Sequence, residues 1–156
     1  MKTELILVGK TNDKHFQAGI DDYCQRIGHY MPFSITVIPE LKNTKSLSFQ
    51  QQKEREGEMI LAKLQSSDHV VLLDEHGKDF RSVEFARWIE QKNASVRRLV
   101  FVIGGPYGFS EAVYSRANEK ISLSKMTFSH QMVRLVFVEQ IYRACTIIKG
   151  ETYHHE

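Results

Sequence analysis

Cysteine is almost absent from the 156 residues: Cys24 and Cys145 stand far apart, with no Cys-x-x-Cys and no Cys/His spacing that suits a metal. A disulfide framework and a metal site are therefore excluded. Both thiols, set in helix-like apolar patterns, read as reduced and buried. Long apolar runs are missing as well. No stretch approaches the ~20 residues of a membrane span. The apolar start at residues 5–8 is too short, and too closely preceded by Glu4, to be a signal peptide. These absences point to the cytoplasm. Charge of one sign is not in excess, since 21 Lys+Arg against 19 Asp+Glu leave a net charge of +2 and a pI near 8.5. The dense basic stripe of a dedicated nucleic-acid binder is excluded, and any RNA affinity must come from a local patch, for instance one assembled from two subunits. Internal repeats, low-complexity tracts and Pro/Gly/Ser linkers are also lacking. Residues 1–156 are thus read as one domain, long enough to bury a real core.

What is present is an alternation of short apolar runs and helical periodicities. Residues 5–8, closed by Gly9, read as a buried strand. Phe16, Ile20, Tyr23, Cys24 and Ile27 form one face of a helix, with Asn12 or Asp13 as its N-cap and Gly28 as its stop. Ile35, Val37 and Ile38 suggest a second strand ended by Pro39, followed by a polar, basic loop over 41–47. Ser48 with Gln51 makes a capping box for a helix to about Leu64, of which residues 50–56 read as a solvated face. Further strands are expected at 69–73, 99–103 and 121–123. Ser82 is read as the cap of a helix holding Phe85, Ala86 and Ile89, Ser110 as the cap of a short helix to about Ala117, and a last helix is expected over 131–149. This order predicts an α/β fold with a mainly parallel sheet, whose ligands bind at the carboxyl ends of the strands. The loops at 74–78, 104–108 and 124–129 occupy such ends.

Gly104-Gly105-Pro106-Tyr107-Gly108 lets the backbone approach a ligand closely, but it matches neither the G-x-G-x-x-G dinucleotide fingerprint nor the G-x-x-x-x-G-K-[ST] phosphate loop. NAD and ATP are poor candidates. The absence of a G-x-S-x-G elbow likewise argues against a hydrolase. Residues 123–128 offer backbone donors and acceptors beside apolar Leu123, Met126 and Phe128, a mixture that suits an adenosine. The last helix is apolar nearly all round and asks for cover, most simply from a second copy of the chain. Within it Glu139 and Arg143 stand one turn apart, beside Gln140. Tyr153, His154, His155 and Glu156 end the sequence. Tyr153 could stack on a base, and His154 could handle a proton near neutrality.

Taken together, residues 72–78 (LLDEHGK), 101–108 (FVIGGPYG), 123–130 (LSKMTFSH) and 139–144 (EQIYRA) resemble the small SPOUT-superfamily methyltransferases of the RlmH type, which act on N3 of a pseudouridine in bacterial 23S rRNA. The resemblance runs the full length, and the order and spacing of its segments make it specific. It implies a single SPOUT domain with a C-terminal trefoil knot. It implies S-adenosyl-L-methionine as cofactor, held at Leu73, Gly104, Leu123, Ser124, Lys125, Met126, Thr127 and Phe128, with no metal. It also implies a homodimer packed through the last helix, each pocket finished by the partner's C-terminal tail, and a substrate met on the assembled ribosome. Family members often carry Pro at the position of Ser129 and Arg or Lys at that of His155.

On this reading the catalytic group is His154, Arg143, Glu139 and Tyr153. His154, or water near Glu139 and Arg143, takes the N3 proton, while Arg143 stabilises charge on the base carbonyls. Lys125 and Arg134 are candidates for holding phosphate. The rival expectations are a non-catalytic ribosome-associated RNA-binding dimer and a module that binds an adenosine ligand without turnover.

Overall fold

Residues 1–155 are described by the structure, a computed structural model; Glu156, the end of the tail singled out above, lies outside the described residues. In chain order the elements are β1 (Lys2–Val8), α1 (Lys14–Ile27), β2 (Phe33–Ile38), α2 (Phe49–Leu61), β3 (His69–Asp79), α3 (Ser82–Ser95), β4 (Arg98–Ile103), α4 (Glu111–Arg116), β5 (Glu119–Ser122) and α5 (His130–Ile148), with a 3-10 turn at Thr44–Ser46 in the polar loop. One sheet runs in the order β2-β1-β4-β3-β5, and every pairing in it is parallel. The short branched runs of the central strands β1, β3 and β4 are covered on both faces, the condition of a parallel sheet, while the edge strand β2 stays partly open, with Val37 exposed. The expected α/β class and parallel sheet are what the chain adopts.

Alternation along the strands sorts the core into two layers. Leu5, Leu7, Val71, Leu99 and Phe101 pack with Ile20 of α1, Phe85 and Trp88 of α3, and Phe137 and Ile141 of α5. Ile6, Val70, Leu72, Val100 and Val102 face the other way, against Ile60 of α2, Phe109, and Val113 of α4. The apolar girdle of α5 is therefore covered largely from within. Phe137, Val138, Ile141, Ala144 and Cys145 are buried against the sheet and between α1 and α3, while Met132 and Ile148 stay exposed.

Several element ends differ from the sequence reading, each for a local reason. β3 continues past the apolar stretch 69–73. It pairs with β5 as far as Leu73, leaves the ladder, and rejoins it with Lys78 opposite Ile121, so residues 74–77 bulge out of the sheet. Gly77 permits this, because a Cβ there would lie 2.6 Å from the Ile121 backbone. Ser82 does not cap α3. Arg81 occupies the N-cap and its N–H donates to Glu84 Oε1 at 2.8 Å, which frees the Ser82 hydroxyl to donate to Gln140 Oε1 at 2.8 Å. Gly28 follows α1 in an ordinary right-handed conformation rather than a left-handed one, and Asp13 is the N-cap. Ser48 and Gln51 form the capping box as read, although α2 ends at Leu61.

The phosphate role considered for Arg134 is corrected by the structure. Arg134 is only 3% exposed. Its guanidinium donates to the Val8 carbonyl at 2.7 Å, the Gly9 carbonyl at 2.9 Å and the Thr11 hydroxyl at 3.0 Å, tying α5 to the end of β1. Hydrogen bonds from charged donors contribute more than neutral ones, and buried acceptors left unpaired are costly. Arg134→Met, which keeps the bulk and removes the donors, should destabilise the protein by about 2–3 kcal/mol in urea unfolding. An unchanged unfolding midpoint would contradict this anchoring.

Candidate active site

Because β3, β4 and β5 are parallel neighbours, their carboxyl ends and the loops that follow meet on one edge of the sheet. A cleft of about 560 Å³ opens there, within the usual range for a small-molecule site. Leu73, Gly104, Leu123, Ser124, Lys125, Met126, Thr127 and Phe128 all line it, so the whole predicted cofactor set converges. His130 and Val133 close it from the first turns of α5.

The loop after β5 is shaped by its own hydroxyls. Ser122 Oγ donates to the Ser124 carbonyl at 3.0 Å, and Ser124 Oγ accepts from Met126 N–H at 3.0 Å. The loop after β4 is pressed from behind. At Gly104 a Cβ would lie 2.9 Å from the Phe109 ring, and at Gly105 2.7 Å from the Glu56 carboxylate. Glu56 accepts from Gly105 N–H at 3.0 Å. The sequence reading placed Glu56 on a solvated face; the structure half-buries it behind the glycine loop, and that burial raises its pKa.

Asp74 and Tyr114 also belong to the cleft wall. Their side chains are hydrogen-bonded, and Asp74 Oδ1 accepts from His76 N–H at 2.8 Å. Burial pushes Asp74 upward, but the Tyr114 and His76 hydrogen bonds outweigh it and the net pKa is lowered. Burial first, and then Asp74, push the Tyr114 phenol up to about 12. Tyr114 had no signal in the sequence, since it sits on a short helix and reaches the cleft only through the packing of α4.

The second predicted set also converges, but elsewhere. Arg143 Nη2 donates to Glu139 Oε1 at 2.6 Å, and Arg143 Nη1 lies 3.1 Å from His154 Nδ1. The Tyr153 hydroxyl donates to Glu139 Oε1 at 2.9 Å and lies 3.3 Å from the Tyr23 hydroxyl. Gln140 Nε2 donates to Glu139 Oε2 at 3.1 Å. The Arg143 guanidinium stands 4.9 Å from the Tyr153 ring centroid, and Tyr142 meets that ring edge-on at 4.8 Å. The tail is thus folded back on α5, with Tyr153 as its anchor. Burial, followed by the Tyr23 and Glu139 hydrogen bonds, pushes the Tyr153 pKa well above the usual phenol range, so this phenol is a donor near neutrality.

Of these four residues none lines the cleft. With a rise of about 1.5 Å per residue, Glu139 and Arg143 lie roughly 9 and 15 Å along α5 from Val133. A smaller cavity of about 150 Å³ lies between, lined by Ser122 and Leu123 at one end and Gln140 at the other. Within one chain the two sets are separate: the first lies on β3 and the loops after β4 and β5, the second on α5 and the tail, and α5 touches both through His130, Val133, Glu139 and Arg143. No helix among the described residues is long and apolar enough to cross a membrane, and no group of three or more His, Cys, Asp or Glu among them could hold a metal ion.

A parallel sheet with a glycine loop, a hydroxyl-rich loop and a cleft at the strand ends is the arrangement of a small-molecule-binding α/β protein. The family model described as "Predicted SPOUT methyltransferase" matches residues 1–154, and the chain belongs to that family. Full-length relatives carry a common name, "Ribosomal RNA large subunit methyltransferase H". The one from Bacteroides fragilis is 65% identical over 157 aligned residues, covering 100% of both chains. That from Phocaeicola vulgatus is 63% identical and that from Flavobacterium johnsoniae 55% identical, each with the same complete coverage.

Glu56 gives the site a pH signature. Its folded pKa is raised, so the folded state binds the proton more tightly than the unfolded chain. Stability is then lost as pH rises past the ordinary glutamate range. Glu56→Gln keeps an oxygen for Gly105 N–H and cannot ionise. Its stability relative to the parent protein should grow between about pH 4 and pH 7, as read from paired urea midpoints. A gap that stays constant or shrinks would contradict the assignment.

Proposed function

We propose that this protein is an S-adenosyl-L-methionine-dependent methyltransferase that modifies N3 of a pseudouridine in large-subunit ribosomal RNA, acting as a homodimer on the assembled ribosome in the cytoplasm. The observation that carries the reading is the convergence of residues 73, 104 and 123–128 on one cleft of suitable size at the carboxyl ends of β3, β4 and β5. The name shared by the full-length relatives supports the substrate class. The single SPOUT domain over 1–156 and its trefoil knot belong to the same proposal.

The donor set fits the cofactor. Leu73, Ile103, Leu123 and Val133 supply apolar wall for an adenine ring. Backbone groups of Gly104 and of 123–128 supply donors and acceptors for its edge and ribose. When bound, S-adenosyl-L-methionine supplies a methyl group already activated on sulfonium, without a metal. The protein's tasks are to hold N3 about 3–3.5 Å from the reacting methyl carbon and to remove the N3 proton. Arg143 N–H donates to His154 Nδ1 in the resting arrangement. For His154 to accept a proton there, Arg143 must turn away, and the carbonyl oxygens of the base, where negative charge grows, are its natural new acceptors. Glu139 tethers Arg143, and Gln140 with Ser82 braces Glu139. Tyr153 holds the tail as a donor. Lys125, exposed at the cleft, is placed to meet a phosphate.

The separation of the two clusters along α5 favours a site shared between two copies, with the tail of one completing the cleft of the other. Exposed Met132 and Ile148 leave α5 apolar surface for such packing.

Gly104→Val forces its side chain into Phe109 and the glycine loop. It should abolish saturable binding of radiolabelled S-adenosyl-L-methionine in equilibrium dialysis while the protein stays folded. Undiminished binding by the folded variant would refute this pocket. His154→Ala should bind cofactor normally and lose methyl transfer by about 10²–10⁴-fold in single turnover. Mixing and refolding the two inactive variants should restore about a quarter of parental activity, because a mixed dimer rebuilds one intact shared site. Failure of the mixture to recover activity would show that tail and cleft act within one chain.

A further inference from the structure

The first turn of α2 carries an aromatic side chain that helix formation does not need. Phe49, next to the Ser48 cap, is 65% exposed. Its ring stacks on that of Tyr107, with centroids 4.3 Å apart and planes 20° from parallel. Tyr107 is 42% exposed and belongs to the glycine loop that lines the cofactor cleft. Two distant segments are thus joined by a flat, solvent-facing aromatic pair at the edge of the candidate active site. The pair belongs to neither hydrophobic cluster of the core. Met126, 78% exposed, adds apolar surface on the same cleft.

The segment that leads into Phe49 carries charge of one sign, while the Glu56 carboxylate stands behind the loop of Tyr107. From residue 41 to residue 53 the chain carries Lys42, Lys45 and Lys53 and no acidic residue. Lys42 and Lys45 are exposed, as is Lys125 on the loop after β5. With a net charge of only +2 over the whole molecule, this is the kind of local patch that RNA affinity requires here. Flat aromatic faces beside lysines match a nucleotide that is out of its helix: π-face on the rings, phosphate on the ammonium groups. Stacking accepts any base, so the pair would grip a nucleotide next to the target rather than read its identity.

We infer that Phe49, stacked on Tyr107, is a platform for an unpaired nucleotide flanking the modified position, with Lys42 and Lys45 taking the adjoining phosphates. The inference rests on the proposed RNA substrate and adds to it a place where that RNA is held.

The test uses the full-length protein and large ribosomal subunits isolated without the modification. Phe49→Ala should weaken binding to the subunits about tenfold or more, the size of a lost base–aromatic stack. Its cofactor affinity and its sedimentation coefficient should not change. Phe49→Trp, with a larger π-face, should bind as tightly as the parent or more tightly. Unchanged subunit affinity of Phe49→Ala overturns the platform. So does a lost affinity accompanied by altered sedimentation, which would assign the pair to contact between two copies of the chain. A parent protein that binds subunits but transfers no methyl group would sink the methyltransferase reading while the platform is still decided by Phe49→Ala. A parent that does not bind subunits sinks both.

Discussion

The arrangement depends on one buried guanidinium. Arg134 leaves α5, reaches the end of β1 and donates to the Val8 and Gly9 carbonyls and the Thr11 hydroxyl. Gln131, one turn earlier, accepts from Asn12 N–H at 2.6 Å and donates to the Lys10 carbonyl. These bonds set where α5 crosses the sheet. Both residue clusters touch this helix. The first turns of α5 close the cleft through His130 and Val133, and its later turns carry Glu139, Gln140 and Arg143. Aromatic packing of Phe137 on Phe101, at 4.9 Å, fixes the same helix against the middle of the sheet.

A parallel sheet supplies the second constraint. Its strands all point one way, so β3, β4 and β5 deliver their loops to a common edge, and a cleft is the geometric consequence. The bulge at 74–77 widens that edge by lifting Asp74 out of the ladder, where it meets Tyr114. On the far side, Glu56 and Phe109 hold the glycine loop from behind. Glu56 therefore controls loop position from outside the cleft, while Phe109 both backs the loop and lines the cleft.

Much of this was legible in the residues. The central strands announced themselves as short branched runs because burial on both faces favours apolar residues, whereas β5, with Glu119 and Lys120, was legible only at Ile121. The capping box at Ser48 and Gln51 was readable because it is a local pattern. The residues that line the cleft were readable through a resemblance in which order and spacing carry the information. What escaped was non-local. Arg134 has the look of a surface cation until α5 is laid over β1. Glu56 resembles its solvated neighbours until Gly105 is placed against it. Ser82 resembles a helix cap until Gln140 arrives to take its hydroxyl. The excursion of β3 depends on a close approach of Gly77 to Ile121 that no periodicity encodes. The separation of the Glu139, Arg143, Tyr153 and His154 cluster from the cleft is likewise a matter of distance along α5, invisible in a list of residue types.

The central claim is methyl transfer to a pseudouridine at N3. Its most direct measurement incubates the protein with methyl-labelled S-adenosyl-L-methionine and unmodified large ribosomal subunits, then digests the RNA and maps the labelled nucleotide by mass spectrometry. The account predicts label on one pseudouridine, at the base nitrogen N3, appearing with single-turnover kinetics that depend on both protein and intact subunits. Saturable cofactor binding with no label in the RNA, or label on a ribose oxygen or a different base, would contradict it.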